Sequence, residues 1–185
     1  MKVETNLNIV LDNILLALSP PKLSELLNTC AQSLYQSNMH RVFNEGKNIN
    51  GTSIGRYSRK PTYVNPKNSP KSFTPAGKKN KGSSFENGKP RKTRYFPGGY
   101  MDYRNKVGRR IDIVDLHLTG GLQGDFQNKK LSSGIGNEIG FMSTKKGDIA
   151  DRLENHFNCT IFGVTPKDIE NVNAIITNYT NNLST

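Results

Sequence analysis

His156 and Cys159 stand three residues apart, a separation at which an imidazole and a thiolate can share one zinc ion. A zinc site needs roughly three or four such ligands, and no second cluster accompanies this pair, so a partly buried imidazole beside a buried thiol is the better reading. Asp112, Asp115 and Asp125 are the next set: three carboxylates in one short stretch could hold a divalent metal or share acid–base work. Placed along a strand of period two they read better as solvated acids on its polar face. His40 and His117 are isolated from any catalytic pattern. Gly134-Ile135-Gly136 with Gly140 departs from the spacing of a phosphate-cradling loop, and no Lys-Ser or Lys-Thr follows it. These glycines belong to turns. No catalytic, cofactor-binding or metal-binding residue is expected, and the chain does not read as an enzyme.

The charge carries more information. Between Lys47 and Arg110 stand 17 of the 26 Lys and Arg residues against two acids, Glu86 and Asp102, a local excess of +15. The rest of the chain has nine bases and 13 acids, or −4, which completes the net +11. Aromatic side chains interleave with the bases, so the candidate contact residues are Arg56, Tyr57, Arg59, Lys60, Tyr63, Lys78, Lys79, Lys81, Arg91, Lys92, Arg94 and Tyr95. Bases neutralise phosphates while rings stack on nucleobases, which makes nucleic acid one partner class. Acidic protein surfaces are a second, since Arg and Tyr are favoured at interfaces. A charged loop that binds nothing specific is the third. The residues alone leave these three open.

The rest of the sequence must position this segment. A hydrophobic fraction of 34% and a mean hydropathy of −0.63 are low for a chain of 185 residues, so a compact part and a long polar part are expected. Cys30 and Cys159 lie inside apolar patterns without close-spaced partners and read as reduced thiols, in keeping with a cytoplasmic origin. Lys2 precedes an apolar run from Ile9 to Leu18, but Glu4, Asn8, Asp12 and Asn13 interrupt it and no small-residue cleavage site follows, against a signal peptide. No apolar stretch reaches the roughly 20 residues that cross a bilayer.

Residues 5–18 are apolar enough for a short first helix or helix-like arm. Ser19 and Pro20 then start the most regular element, where Leu23, Leu26, Leu27, Cys30, Ala31, Leu34 and Tyr35 keep helical spacing and Met39, Val42 and Phe43 extend it to a C-cap at Gly46. From Lys47 to about Arg94 periodicity disappears, leaving an extended arm that anchors through occasional aromatic residues. One or two helical turns follow over Tyr100 to Val107. Val114, Leu116 and Leu118 alternate with Asp115 and His117, and Gly120-Gly121 then supply a tight turn, so a hairpin is expected at the centre of a small sheet. A second turn at Lys129 to Gly134 and a third strand through Ile135, Asn137, Ile139 and Phe141 give at least three strands. Ser143 or Thr144 starts a helix to Phe157. Thr165-Pro166-Lys167-Asp168 is a capping box with Val164 stapled on Ile169, opening a last helix that turns Ile169, Val172, Ile176 and Tyr179 inward. The fold class is α+β: a small, mainly antiparallel sheet on a long N-terminal helix and C-terminal helices, with a long basic arm. Residues 1–46 and 101–185 form one domain, and residues 47–100 are the arm inserted in it.

The ordered combination is familiar. Ile54-Gly55-Arg56-Tyr57-Ser58 follows the long helix, then come Val114-Asp115-Leu116-His117-Leu118-Thr119-Gly120-Gly121-Leu122, Ile139-Gly140-Phe141 and Ile161-Phe162-Gly163-Val164-Thr165. Together they resemble the tail-completion or head-tail joining proteins of tailed bacteriophages, the virion-morphogenesis group. In that family Leu-x-x-Thr-Gly-x-Leu marks a central strand and turn, and Leu118 to Leu122 is similar to it, with Thr119, Gly120 and Gly121 as the structural turn. The resemblance implies a structural protein without a catalytic site or cofactor. It implies a ring of about six or twelve copies in the neck of the virion, assembled in the host cytoplasm, with portal or connector proteins and tail proteins as partners. Packaged DNA is a further contact, and no membrane is involved. The alternative is a basic nucleic-acid-binding protein gripping through Lys47 to Arg110. A hydrolase or nuclease comes a distant third.

Overall fold

The computed structural model describes residues 19–64, 85–86, 89–90 and 94–181. The expected helix at residues 5–18, the basic positions Lys78, Lys79, Lys81, Arg91 and Lys92, and residues 182–185 lie outside the described residues. Helix α1 spans Pro20–Asn38 and runs on as a π-helical turn, Met39–Asn44. Strands β1 (Thr62–Val64), β2 (Phe85–Glu86), β3 (Lys89–Pro90) and β4 (Arg94–Phe96) belong to the arm. Then follow α2 (Gly99–Lys106), α3 (Gly121–Asp125), β5 (Phe126–Lys130), β6 (Asn137–Phe141), α4 (Thr144–Phe157) and α5 (Pro166–Asn181).

Ser19 sits in an extended conformation before Pro20, where the missing proline N–H costs nothing because the first turn has no acceptor for it. Leu23, Leu26 and Cys30 then bury one stripe of α1 against Ile176 of α5, flanked by Val172, Ile175 and Tyr179. Past Asn38 the helix widens: the Glu45 N–H donates to the His40 carbonyl, five residues back, at 3.1 Å. This turn carries Val42 and Phe43 into the main core with Ile54, Tyr57, Val114, Leu122 and Ile161. Arg41, on the same turn, is buried and donates to the carbonyls of Lys47, Ile161 and Gly163 and to Asn38 Oδ1 at 2.7–3.2 Å. It thereby ties the helix end to the linker before α5. The chain leaves at Gly46, φ +64, where a Cβ would lie 2.8 Å from the Val114 carbonyl oxygen.

The α+β class is what the chain adopts, but the central hairpin is not where the alternation places it. Residues 111–120 form no strand, and Leu116 has a φ of +51. The physical reason is local: Asp115 Oδ1 accepts the His117 N–H at 3.0 Å, and this side-chain turn reverses the backbone that an extended strand would need straight. Gly120, φ +79, caps α3 instead of closing a hairpin. The hairpin present is β5 on β6, antiparallel, pairing Phe126 with Phe141 through to Lys130 with Asn137. Its far strand matches the expected third strand from Asn137 onward. Ile135 falls in the turn and is exposed. Each ladder among the described residues has two strands, so a sheet of three or more does not form there.

Phe126 and Phe141 meet edge-on at 5.2 Å, and Phe162 packs on both, at 5.7 and 4.8 Å. Tyr35 of α1 stacks on Phe126 at 6.0 Å, which fastens the hairpin to the long helix. At α5 the capping box forms in both directions. The Thr165 N–H donates to Asp168 Oδ2 at 2.8 Å and the Asp168 N–H to Thr165 Oγ1 at 3.1 Å, an arrangement worth about 0.5–2 kcal/mol. The staple beside it does not close over: Val164 is 52% and Ile169 37% exposed, so Ile169 does not face inward. Both cysteines are free, Cys30 buried and Cys159 half-buried. Burial pushes the Cys30 thiol up, away from the reactive thiolate. Iodoacetamide at mildly alkaline pH should therefore leave Cys30 unmodified in the folded chain and label it fully after denaturation, read by mass spectrometry.

Candidate functional site

The basic arm is rooted in the core by its first residues. Asn48 Oδ1 accepts from the N–H groups of Asn50 and Thr52 and from the Thr52 hydroxyl, at 3.0–3.2 Å, so the chain doubles back and Lys47 bridges Ser53. Ile54 and Tyr57 then sink into the core. The Tyr57 hydroxyl donates to Asp115 Oδ1 at 3.0 Å. Arg104, from α2, donates to the same oxygen through Nη2 at 2.7 Å and to the Arg110 carbonyl through Nε at 2.9 Å. Its guanidinium also lies 4.1 Å from the centre of the Tyr57 ring. The ion pair is dry, with Arg104 1% and Asp115 7% exposed at the side chain. Burial, reinforced by the Asp115 carboxylate against the opposing pull of Arg104, raises the Tyr57 phenol above its ordinary range, so it remains a protonated donor.

Beyond Tyr57 the arm runs along α2. The Met101 N–H donates to the Ser58 carbonyl at 3.0 Å, and Arg59 Nε reaches Met101 Sδ at 3.3 Å. Strand β1 pairs antiparallel with β4, Thr62 opposite Phe96 and Val64 opposite Arg94, while Phe96 packs edge-on against Tyr103 at 5.2 Å. The arm therefore departs and returns through one two-stranded stem. Between β1 and β4 in sequence, Phe85 pairs with Pro90 and Glu86 with Lys89. Of the expected contact residues, Arg56, Arg59, Lys60 and Tyr63 are exposed at the root and stem, whereas Tyr57 is an internal anchor. Arg94 and Tyr95 lie in β4 opposite Val64 and Tyr63.

A cavity of about 630 Å³ opens between this root and α4. Arg56, Tyr57 and Arg104 form one wall, the 116–122 segment with Thr119, Gly120 and Gly121 a second, and Lys146, Ile149, Leu153, His156 and Phe157 the third. Its charged residues are all basic, and Asp115 already pairs with Arg104. The structure thus brings the Thr-Gly-Gly turn beside Arg56 and Tyr57, but it separates the three carboxylates. Asp115 is buried on Arg104, Asp112 pairs with Arg110 at 2.8 Å in the open, and Asp125 accepts from the N–H and hydroxyl of Ser143 at 3.0–3.1 Å. Asp115 is therefore no solvated acid: the neighbouring Arg104 makes its burial tolerable. Among the described residues no three His, Cys, Asp or Glu side chains are grouped to hold a metal ion, and no helix is long and apolar enough to cross a membrane.

Lys146 and His156 were not legible as part of one site. Lys146 carries no sequence signal beyond its place on α4 near the apolar stripe, and His156 stood out only for its spacing from Cys159. No protein-family model, curated protein or solved structure matches the chain.

Proposed function

We propose that the chain is a structural protein of a tailed-bacteriophage virion, sited in the neck as a ring that joins the portal or connector to the tail. What supports the reading is that the dispersed motif residues meet at the places that hold the fold together. Tyr57 is fastened to Asp115 at the arm root, Leu122 packs with Val42 and Phe43, and Phe141 packs with Phe162. Motif residues that work internally leave the surface and the basic arm to make the contacts of assembly. An arm that leaves and returns through one stem can reach a neighbouring subunit while its root stays fixed.

Electron microscopy of the purified protein and of the particle tests this. The expected result is a closed ring of about six or twelve copies, and density for it between portal and tail. A monomer at all concentrations, absent from virions, overturns the proposal. The exposed bases Arg56, Arg59 and Lys60, close together at the arm root, favour the second reading, a nucleic-acid-binding protein. Binding of generic duplex DNA that weakens steeply with salt, by a chain that never oligomerises, would put that reading in its place.

A further inference from the structure

We infer that the cavity beside the arm root is a docking groove for residues 7–18 of a second copy of this chain. The groove is apolar along Leu116, Leu118, Ile149 and Leu153, and basic at Arg56 and Lys146. Neither basic side chain has an acidic partner among the described residues, so a complementary occupant must be apolar with an acid. Its volume, about 630 Å³, is in the range of pockets that enclose a compact ligand or a few large side chains.

One stretch of this chain has that chemistry. Residues 7–18 carry a single charge, Asp12, and Leu7, Leu11, Ile14, Leu15 and Leu18 fall at helical spacing on one face. That is the pattern of a helix laid in a groove, with anchors about one turn apart. Asp12 borders the stripe, where Arg56 or Lys146 can meet it.

The geometry favours a neighbour's segment over the chain's own. Along α1, Ser19 stands about 24 Å from Tyr35, and Gly120 of the groove lies beside Tyr35 and Met39 toward the far end of that helix. As a helix, residues 7–18 span only about 18 Å. A helix of that length is shorter than the run of α1 between Ser19 and the groove, so a helical fit favours a neighbour's groove. A neighbour has no such constraint, and in a closed ring each copy would give one segment and receive another.

Charge reversal in the full-length protein tests the contact, with association measured by sedimentation and light scattering. Asp12→Lys alone, and Arg56→Glu with Lys146→Glu, are each expected to weaken association at least tenfold. The triple variant should recover to within about threefold of the original protein, because the reversed charges attract again. A synthetic peptide of residues 7–18 should compete with association. Loss without recovery in the triple variant, or no loss in either parent, overturns the inference. A change in melting temperature with association unaltered also overturns it, since that is the mark of docking within one chain. The inference depends on the proposed function only for a second copy. Association through this groove by a protein absent from virions would fail the phage reading alone, while virion rings indifferent to these reversals would fail the groove alone.

Discussion

Replacing Asp115 with alanine should lower the unfolding free energy by about 3–5 kcal/mol, the range for removing one partner of a buried ion pair. The carboxylate does three things through one oxygen: it accepts from Arg104 at 2.7 Å, from the Tyr57 hydroxyl at 3.0 Å and from the His117 N–H at 3.0 Å. Without it the guanidinium remains 1% exposed with no counter-charge, and the phenol loses its acceptor. Domains of this size hold only about 5–15 kcal/mol in total, so the variant should stand close to unfolding at physiological temperature. Two controls separate the causes. Tyr57→Phe deletes one hydrogen bond and should cost about 1 kcal/mol. Adding Arg104→Met to Asp115→Ala removes the orphaned charge and should recover a good part of the loss, because replacing both members of a buried pair costs far less than replacing one. Urea denaturation followed by circular dichroism reads all three. A loss below about 1 kcal/mol for Asp115→Ala would mean that water reaches Arg104 and that the arm is not rooted through this pair.

The same residue explains where the sequence could be read and where it could not. The stripe from Leu23 to Ala31 was legible because a helix buries residues at a fixed period, and Leu23, Leu26, Cys30 and Ala31 are buried as the spacing requires. Val42 and Phe43, by contrast, reach the main core on a π-helical turn that the period does not foretell. The capping box at Thr165 was legible because both partners stand within one turn. Val114 to Leu118 alternates as a strand does, but the period says nothing about the side chain of Asp115 taking the His117 N–H for itself. A short polar side chain competing for a nearby N–H is a local event that a hydrophobic pattern does not encode. The partnership of Asp115 with Arg104 was hidden for a different reason. Arg104 stands among other bases, and nothing in a run of charge marks the one member that will be buried. Tyr57 was expected among the contact residues facing a partner, and it is instead buried, tying the arm to its own core, because its hydroxyl finds Asp115 there.

Gly99→Ala should cost about 2–5 kcal/mol, from two sources that a matched control can divide. Gly99 opens α2 at φ +72, a conformation that costs an L-residue roughly 1–2 kcal/mol. A Cβ there would also lie 2.5 Å from the Lys60 carbonyl oxygen and 2.6 Å from that of Ser58. Both are backbone atoms, so no rotamer change relieves the contact. The 58–60 segment must move off α2, giving up the bond from the Met101 N–H to the Ser58 carbonyl at the foot of the β1–β4 stem. Overpacking of this kind adds about 1–3 kcal/mol. Gly108 shares the left-handed conformation, φ +69, but has open space where a Cβ would stand, so Gly108→Ala isolates the conformational cost. The difference between the two melting temperatures then reports the contact between arm and helix. Because the movement is confined to the stem, the Gly99 variant should also be cut by trypsin after Arg59 well before the core is lost, and the Gly108 variant should not; the bond after Lys60 precedes Pro61 and resists trypsin in both. Equal losses and equal cleavage would mean that the arm root yields without cost, in which case the stem does not hold the arm in place for a neighbouring subunit.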